Sequence, residues 1–323
     1  MITAADLIRL PYTPDLTQAG IAYALRWLAG PLQPQEGAGL GPLRQVTAEK
    51  AAELAFRRCL QAQGVAHETQ RVTPFTEPER WDVLLGGWRC DLRGAWLNRA
   101  RLVQRIDKDA GLLLEAAAQA PCEQPAASEP WAGHDLYLFA FVLGQTSPLQ
   151  ADPPSWLIHR MPAAWSRPAA WASLGRLALK TEHPRPLTVE LGGQAQARGF
   201  VSETVTLLPG ERAWASQTFY SLAYLHVACL PEGRVGVYSP RLRRTCLVPR
   251  RGWGDLWLRG GEVILAGWMP RAEFLRRARF LPAGSRVLQD ACTPGPSLAV
   301  PVAELYPLAE LFARARAWNQ SRK

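Results

Sequence analysis

Lysine is scarce in this sequence of 323 residues, because only four of its 37 basic residues are lysines and the other 33 are arginines. Six cysteines are present without any Cys-x-x-Cys pair, and the five histidines form no His-x-x-x-His pair. Zinc sites of the finger or hydrolase type use such spacings, so the sequence does not support them. The cysteines are therefore expected to be mostly small buried residues in a reducing compartment.

Several other motifs are missing. The sequence contains no Gly-x-Gly-x-x-Gly or Walker loop and no Gly-x-Ser-x-Gly motif, so neither a nucleotide cofactor nor a serine nucleophile of that type is supported. No apolar run reaches the roughly 18 residues of a membrane span. The first residues lack the basic and apolar regions of a signal peptide. We therefore expect a soluble, cytoplasmic protein that does not contact a membrane.

Positive charge is in excess, with a formal net charge of +9. Residues 241–286 alone contain eleven arginines against three acidic residues. A GC-rich genome would enrich arginine throughout the chain, whereas binding of phosphates and bases would enrich it locally. The local concentration favours contact with nucleic acid.

The most informative pattern lies between Arg80 and Leu97. Asp82 and Asp91 each stand at the edge of an apolar run typical of a strand, and Gly86-Gly87 between the runs favours a hairpin turn. Such a hairpin would bring both carboxylates to one end of a sheet. Because neighbouring carboxylates repel each other, a half-buried pair needs a cation, and magnesium binds one or two carboxylates together with substrate phosphates.

These residues resemble the PD-(D/E)xK motif of the restriction-endonuclease-like nucleases. In that family one strand begins with an acidic residue, the next carries a second acidic residue, a spacer and a lysine, and a preceding helix often carries a glutamate. Asp82 matches the first acid, Asp91-Leu92-Arg93 stands at the (D/E)xK position, and Glu53 lies on the preceding predicted helix. The resemblance covers roughly residues 45–145. Arg93 replaces the family's lysine, and because a guanidinium keeps its proton, its role would be electrostatic.

The resemblance implies a nuclease that hydrolyses DNA phosphodiesters with Mg²⁺ or Mn²⁺. Asp82 and Asp91 would hold the metal, Glu53 would assist, and Arg93 would stabilise negative charge on the phosphate. A solvated helix face is the structural alternative for Glu53. The functional alternative is a catalytically degenerate subunit that binds nucleic acid, or assembles with protein partners, in a larger defence or repair complex.

Two arginine-rich segments are candidates for contacts with nucleic acid, with DNA favoured over RNA. The segment after the hairpin contains Arg99, Arg101 and Arg105. Lys108 in the same segment is a candidate for supplying the ammonium that Arg93 lacks. The second segment is a predicted helix from Pro270 to about Phe280, and it contains Arg271, Arg276, Arg277 and Arg279. A solvated, salt-bridged surface is the alternative for both segments.

The predicted fold class is α/β, with a restriction-endonuclease-like N-terminal core and a second, β-rich α+β domain. Residues 1–145 are expected to form the nuclease domain with an N-terminal helical extension. Residues 146–184 would be a Pro- and Trp-rich connection, and 185–323 an arginine-rich domain that binds nucleic acid or a partner. The run from Asp135 to Leu143 predicts a strand covered on both faces. Gly260-Gly261 predicts a turn between two later strands.

Overall fold

The computed structural model of the protein describes residues 2–30, 39–69, 81–122, 135–146, 155–288, 291–293 and 295–321. Within these ranges the architecture is mixed α/β with several sheets. The α-helices are α1 (Pro14–Ala29), α2 (Gly41–Ala62), α3 (Ala100–Lys108), α4 (Ala163–Ser166), α5 (Arg271–Arg277) and α6 (Leu308–Ser321). In this part of the chain, no helix has both the length and the apolar character needed to cross a membrane.

The strands fall into three groups along the chain. The first group is β1 (Ile8–Pro11), β2 (His67–Thr69), β3 (Val83–Leu85), β4 (Trp88–Leu97), β5 (Ala117–Pro121) and β6 (Asp135–Thr146). The second is β7 (Leu157–Arg160), β8 (Ala178–Thr181), β9 (Leu187–Gln194), β10 (Phe200–Leu207), β11 (Arg212–Trp214), β12 (Ser221–Val227), β13 (Val235–Ser239), β14 (Arg244–Val248) and β15 (Gly254–Asp255). The third is β16 (Leu258–Pro270), β17 (Arg279–Leu281), β18 (Arg286–Leu288), β19 (Ala291–Cys292) and β20 (Ser297–Pro301).

The largest sheet has six strands in the order β1-β16-β6-β4-β3-β2. β4 runs parallel to β6, and the other neighbours are antiparallel. Alternate residues of β6 belong to two different hydrophobic clusters, with Leu136 and Leu138 in one and Tyr137 and Phe139 in the other. Because side chains alternate across a strand, both faces of β6 are covered. The prediction of a strand buried on both faces is confirmed.

The hairpin predicted around the two aspartates is also present. β3 and β4 pair antiparallel through Gly86 and Gly87. Both glycines have positive φ angles, 56° and 82°. Two consecutive residues in this region are what a two-residue hairpin turn requires, and glycine adopts the conformation without strain.

Two further antiparallel sheets enclose a second core. Their strand orders are β10-β9-β12-β7-β15 and β11-β8-β13-β14, and residues from both sheets form one hydrophobic cluster. This arrangement departs from the boundaries predicted at 145 and 185. β7, α4 and β8 lie within the predicted connection, and β16 returns to pair with β6 in the largest sheet. The C-terminal part of the chain therefore contributes to both cores.

The turn predicted at Gly260-Gly261 is a β-bulge inside the continuous strand β16. A Cβ atom at Gly260 would lie 2.2 Å from the ring of Tyr12, so glycine is needed there for close packing. Glycine in a strand marks a bulge or a close approach as often as a turn. The predicted helix 270–280 is shorter than expected, because it ends at Arg277 and Arg279 begins β17.

Helices α1 and α2 cross closely at Gly20. A Cβ atom at this position would lie 2.4 Å from the carbonyl oxygen of Thr47 in α2. This contact brings α1 against the helix that carries Glu53, so the crossing helps to position the candidate site.

In Gly20→Ala we expect overpacking, which forces the backbones of α1 and α2 apart, to cost about 1–3 kcal/mol. Helices favour alanine over glycine by roughly 1 kcal/mol, so the net destabilisation should be about 1–2 kcal/mol. Gly41→Ala is the matched control, since a Cβ atom at Gly41 meets nothing within 4 Å. Urea unfolding measures both variants, and a Gly20→Ala protein as stable as Gly41→Ala would contradict this account of the crossing.

Candidate functional site

One face of α2 carries polar residues at four-residue intervals, namely Gln45, Glu49, Glu53 and Arg57. Residues spaced in this way lie on the same side of a helix. The Gln45 side chain donates to the carbonyl oxygen of Gly94 in β4 at 2.9 Å and to Glu49 Oε1 at 2.8 Å. A Cβ atom at Gly94 would lie 3.2 Å from the Cα of Glu49. The missing side chain at Gly94 therefore lets this polar face approach the sheet.

Three acidic side chains meet where α2 approaches the hairpin. Asp82 precedes β3, and its Oδ2 accepts the backbone N–H of Leu92 at 2.7 Å. Burial and the negative charges of Glu53 and Asp91 raise the pKa of Asp82 well above its usual range, although the Leu92 hydrogen bond and the charge of Lys50 oppose the shift. Such shifts are typical of groups held together against their own repulsion.

Glu53 is only 3% exposed. A solvated helix face, the structural alternative for this residue, is therefore wrong. The structure brings Glu53, Asp82 and Asp91 together, as the resemblance implied.

Each flank of this acidic cluster carries basic side chains. Lys50 Nζ lies 2.6 Å from Glu53 Oε2, and Arg57 pairs with the other oxygen of Glu53. Arg57 also donates to the backbone carbonyl of Asp82 at 3.2 Å. On the opposite flank, Arg93 donates to Asp91 Oδ2 at 2.5 Å. These ion pairs offset part of the cost of holding three carboxylates close together.

Tyr137 of β6 joins one of the predicted arginine segments to this site. It lies opposite Asp91 in the parallel pair β4-β6. The guanidinium carbon of Arg93 is 5.6 Å from the centre of its ring, and that of Arg271 is 5.2 Å away. Both distances are within the range of a cation–π contact. Arg271 thus contacts the same ring as Arg93.

A cleft of about 310 Å³ opens on the Arg93 side of the site. Its polar lining includes Gln45, Glu49, Arg93, Gln119 and Ser297. Burial raises the pKa of the Glu49 carboxyl, and the charge of Arg93 opposes this shift. The cleft has the size at which a small polar group can be enclosed.

The other predicted arginines lie on exposed surfaces. Arg99, Arg101 and Arg105 are exposed at the start and along the length of α3. Arg276 and Arg279 are exposed too, whereas Arg277 pairs with Glu273 at 3.0 Å and Glu304 at 2.5 Å. Lys108 lies at the exposed end of α3. Among the eight basic residues in the two segments, Arg271 contacts the ring of Tyr137, which Arg93 also contacts.

Sequence reasoning missed Lys50, Arg57 and Tyr137. The four-residue spacing from Gln45 to Arg57 could have identified the polar helix face. Charged side chains on the inner face of a helix need ion-pair or hydrogen-bond partners on the elements packed against that face. No comparable pattern marks Tyr137, whose place in an apolar strand hides its contact with the two arginines.

In the described ranges, no group of three His, Cys, Asp or Glu side chains is arranged to hold a metal ion. A site of two carboxylates is still compatible with magnesium, which completes its coordination with water and substrate phosphates. Burial and the neighbouring carboxylates raise the pKa of Asp82, and Arg93 already contacts Asp91. Two carboxylates are a donor set of the kind that a hard divalent cation accepts.

The chain matches no family model, no curated protein and no solved structure. Its function must be inferred from the chemistry of its own residues.

We expect Asp82→Asn to stabilise the protein at pH 7. Because the folded state raises the pKa of Asp82, protonation of this carboxyl stabilises the fold. This stabilisation is fully present below the unfolded pKa of about 3.9 and is lost as the pH rises through the folded pKa. Asparagine resembles the neutral carboxyl and can still accept the Leu92 N–H. The gain should be about 1 kcal/mol or more at pH 7 and should approach zero below about pH 4.

Thermal unfolding from pH 4 to pH 8 measures this difference. Asp107→Asn is the control, because the Asp107 side chain is 68% exposed. Its stability should follow that of the wild type within about 0.5 kcal/mol. A lower Tm for Asp82→Asn than for the wild type at pH 7 would contradict the crowding of the three carboxylates.

Proposed function

We propose that this protein is a metal-dependent nuclease with a restriction-endonuclease-like core that hydrolyses phosphodiester bonds in DNA. The observation that carries the proposal is the meeting of buried Glu53 with the partly buried Asp82 and Asp91. A cluster of repelling carboxylates weakens the fold, and groups with strongly shifted pKa values concentrate at functional sites. A function that needs negative charge at this point explains why the cluster is present.

The order of the surrounding elements supports the same proposal. A helix with a glutamate, α2, comes first, and a hairpin with one acid before β3 and another on β4 follows. The hydrophobic strand β6 then lies beside β4. The helix and the two acids follow the order described above for the PD-(D/E)xK motif, over the residues on which the resemblance rests.

Asp82 and Asp91, with Glu53 beside them, would hold Mg²⁺ or Mn²⁺, which supplies charge stabilisation at the scissile phosphate when bound. Arg93 keeps its proton and would bind a phosphate oxygen, with its guanidinium oriented by Asp91 and Tyr137. Arg271 over the same ring would contact a neighbouring phosphate. The exposed arginines of α3 would add contacts along the DNA backbone.

Lys50 is the residue that can supply the ammonium group missing at position 93. Its Nζ contacts Glu53, and its charge acts on Asp82. Lys108, the candidate from the sequence, lies at the exposed end of α3. An ammonium, unlike a guanidinium, can exchange a proton with water, so Lys50 would orient the attacking water and take part in proton transfer.

The ion pairs also favour a second function. Lys50, Arg57 and Arg93 already contact the carboxylates that a metal ion would need. A protein in which these pairs are permanent would bind nucleic acid or assemble with protein partners without cleaving. We keep this degenerate subunit as the alternative, and the two functions differ in one measurable property, which is cleavage.

In the nuclease, Asp91→Asn should lower the rate of DNA cleavage by at least about 10²-fold, because a metal-binding carboxylate is lost. Single-stranded and duplex DNA would be incubated with Mg²⁺, Mn²⁺ or a chelator, and Asp107→Asn would serve as the control. If neither the wild type nor Arg93→Lys cleaves DNA with any metal while DNA binding persists, the degenerate subunit is correct. Cleavage that survives in Asp91→Asn would show that the site is elsewhere.

Lys50→Met should lower cleavage by roughly 10²-fold, the effect of losing one acid–base group. It should also move the acid limb of the pH–rate profile to higher pH, because removing a positive charge raises the pKa of Asp82 further. Lys50→Arg keeps the charge and should restore the position of the limb without restoring the full rate. The matched control is Lys180→Met, since Lys180 is exposed on β8. An unchanged rate and profile in Lys50→Met would exclude this role.

A further inference from the structure

A line of aromatic and arginine side chains begins at the candidate site and crosses α1. The Nζ of Lys50 lies 4.6 Å from the centre of the Tyr23 ring. Arg26 is three residues further along α1, which places it next to Tyr23 on the helix surface. The guanidinium carbon of Arg26 is 5.9 Å from the ring of Phe200 at the start of β10. Consecutive contacts thus lead from the acidic cluster to the second pair of sheets.

The line continues at the turn between β9 and β10. Arg198 in this turn has a φ of 61°, a conformation that residues other than glycine rarely adopt. Its guanidinium carbon lies 4.9 Å from the ring of Trp171. Trp171 donates its indole N–H to the carbonyl of Gln196 at 2.9 Å and lies 5.7 Å from the ring of Tyr220. The two rings and the arginine are therefore fixed relative to the turn.

Residues 171–177 and 214–220 run side by side beyond this point. Backbone hydrogen bonds join Leu174 to Phe219 at 2.8 Å and Ala215 to Leu177 at 2.9 Å. Trp171 and Tyr220 lie at one end of this pair of segments, and Trp214 lies at the other. Trp214 is 44% exposed.

Two further arginines flank Trp214. The guanidinium carbons of Arg176 and Arg212 are 5.3 Å and 5.9 Å from its ring. We call the whole surface the aromatic track, and it consists of Tyr23, Phe200, Trp171, Tyr220 and Trp214 with Arg26, Arg198, Arg176 and Arg212.

The charge of the track favours an anionic ligand. Its four arginines are all exposed. Glu203, an acidic residue of β10, accepts hydrogen bonds from the backbone N–H groups of Ser216 and Gln217 at 2.7 and 2.8 Å. Its carboxylate is therefore engaged by the backbone. Phe200 and Trp214 are exposed, and Tyr23, Trp171 and Tyr220 are partly exposed. Accessible rings alternating with guanidinium groups are what a flexible polyanion with flat bases requires.

We propose that the aromatic track binds single-stranded nucleic acid and directs it to the candidate site. Bases of a single strand can stack on Phe200, Trp171, Tyr220 and Trp214, while the arginines contact the phosphates. A duplex cannot use the track in this way, because its base faces are stacked on each other. The inference deepens the proposed function by naming the form of the substrate, and binding by the track does not require that the site cleave.

The test is fluorescence anisotropy with a labelled thymidine oligonucleotide of about 20 residues in the presence of chelator, so that no cleavage occurs. Trp171→Ala and Trp214→Ala should each weaken binding by about tenfold through the loss of stacking. Arg176→Gln and Arg198→Gln should each lower the slope of log Kd against log salt by up to about one unit. The wild type should bind the single strand more tightly than the same sequence as a duplex.

Trp318→Ala is the matched control, because Trp318 is 43% exposed and lies on the Gly86-Gly87 turn outside the track. It should bind like the wild type, as should the Arg276→Gln, Arg279→Gln double variant. The melting temperature of each variant verifies folding.

Each of four results would contradict the track. They are unchanged binding in both tryptophan variants, a loss of binding confined to the Arg276 and Arg279 variant, an affinity for duplex equal to that for the single strand, and an affinity for polyglutamate equal to that for the single strand. Failure of the track is distinguishable from failure of the nuclease. Asp91→Asn should still bind the oligonucleotide at least as tightly as the wild type, whatever its cleavage rate. If the protein binds the oligonucleotide but does not cleave DNA, the track is supported and the nuclease is not. If the protein cleaves DNA and both tryptophan variants bind like the wild type, the track alone is excluded.

Discussion

The repulsion among Glu53, Asp82 and Asp91 is the constraint to which the surrounding structure is adapted. Three carboxylates close together, one buried and two partly buried, would be unfavourable without nearby positive charge. Lys50, Arg57 and Arg93 supply that charge from both flanks. The N–H of Leu92 stabilises Asp82, and the small Gly94 lets α2 come close enough for the groups to interact.

Such a cluster needs a rigid support. The sheet beneath it is covered on both faces, because β6 contributes alternate side chains to two hydrophobic clusters. The hairpin β3-β4 and the helix α2 pack on this support, and α1 packs on α2 at Gly20. Stability from these cores offsets the unfavourable charge, as is common where a protein keeps groups for function at the expense of its own stability.

Helix α1 connects the two halves of the proposed function. One of its residues, Tyr23, contacts Lys50 at the acidic cluster, and Arg26 contacts Phe200 on the second pair of sheets. The acidic cluster and the proposed surface for substrate binding therefore meet along one helix. β16 also links the two parts of the structure, through the backbone. It follows the second pair of sheets in sequence and pairs with β6 beside the site.

The sequence by itself determined the local features. The two glycines predict the hairpin since they adopt positive φ, and the apolar run predicts β6 since burial on both faces demands it. Local sequence was enough to name Asp82, Asp91 and Glu53 as candidates, because each lies in or next to a predicted strand or helix. Tertiary structure alone decided which cations meet the acids, that Gly260 is a bulge rather than a turn, and that residues 258–270 return to the first sheet. Lys50 meets Tyr23, and Arg271 meets Tyr137, through packing between segments far apart in the chain. Local periodicity carries no information about such distant contacts.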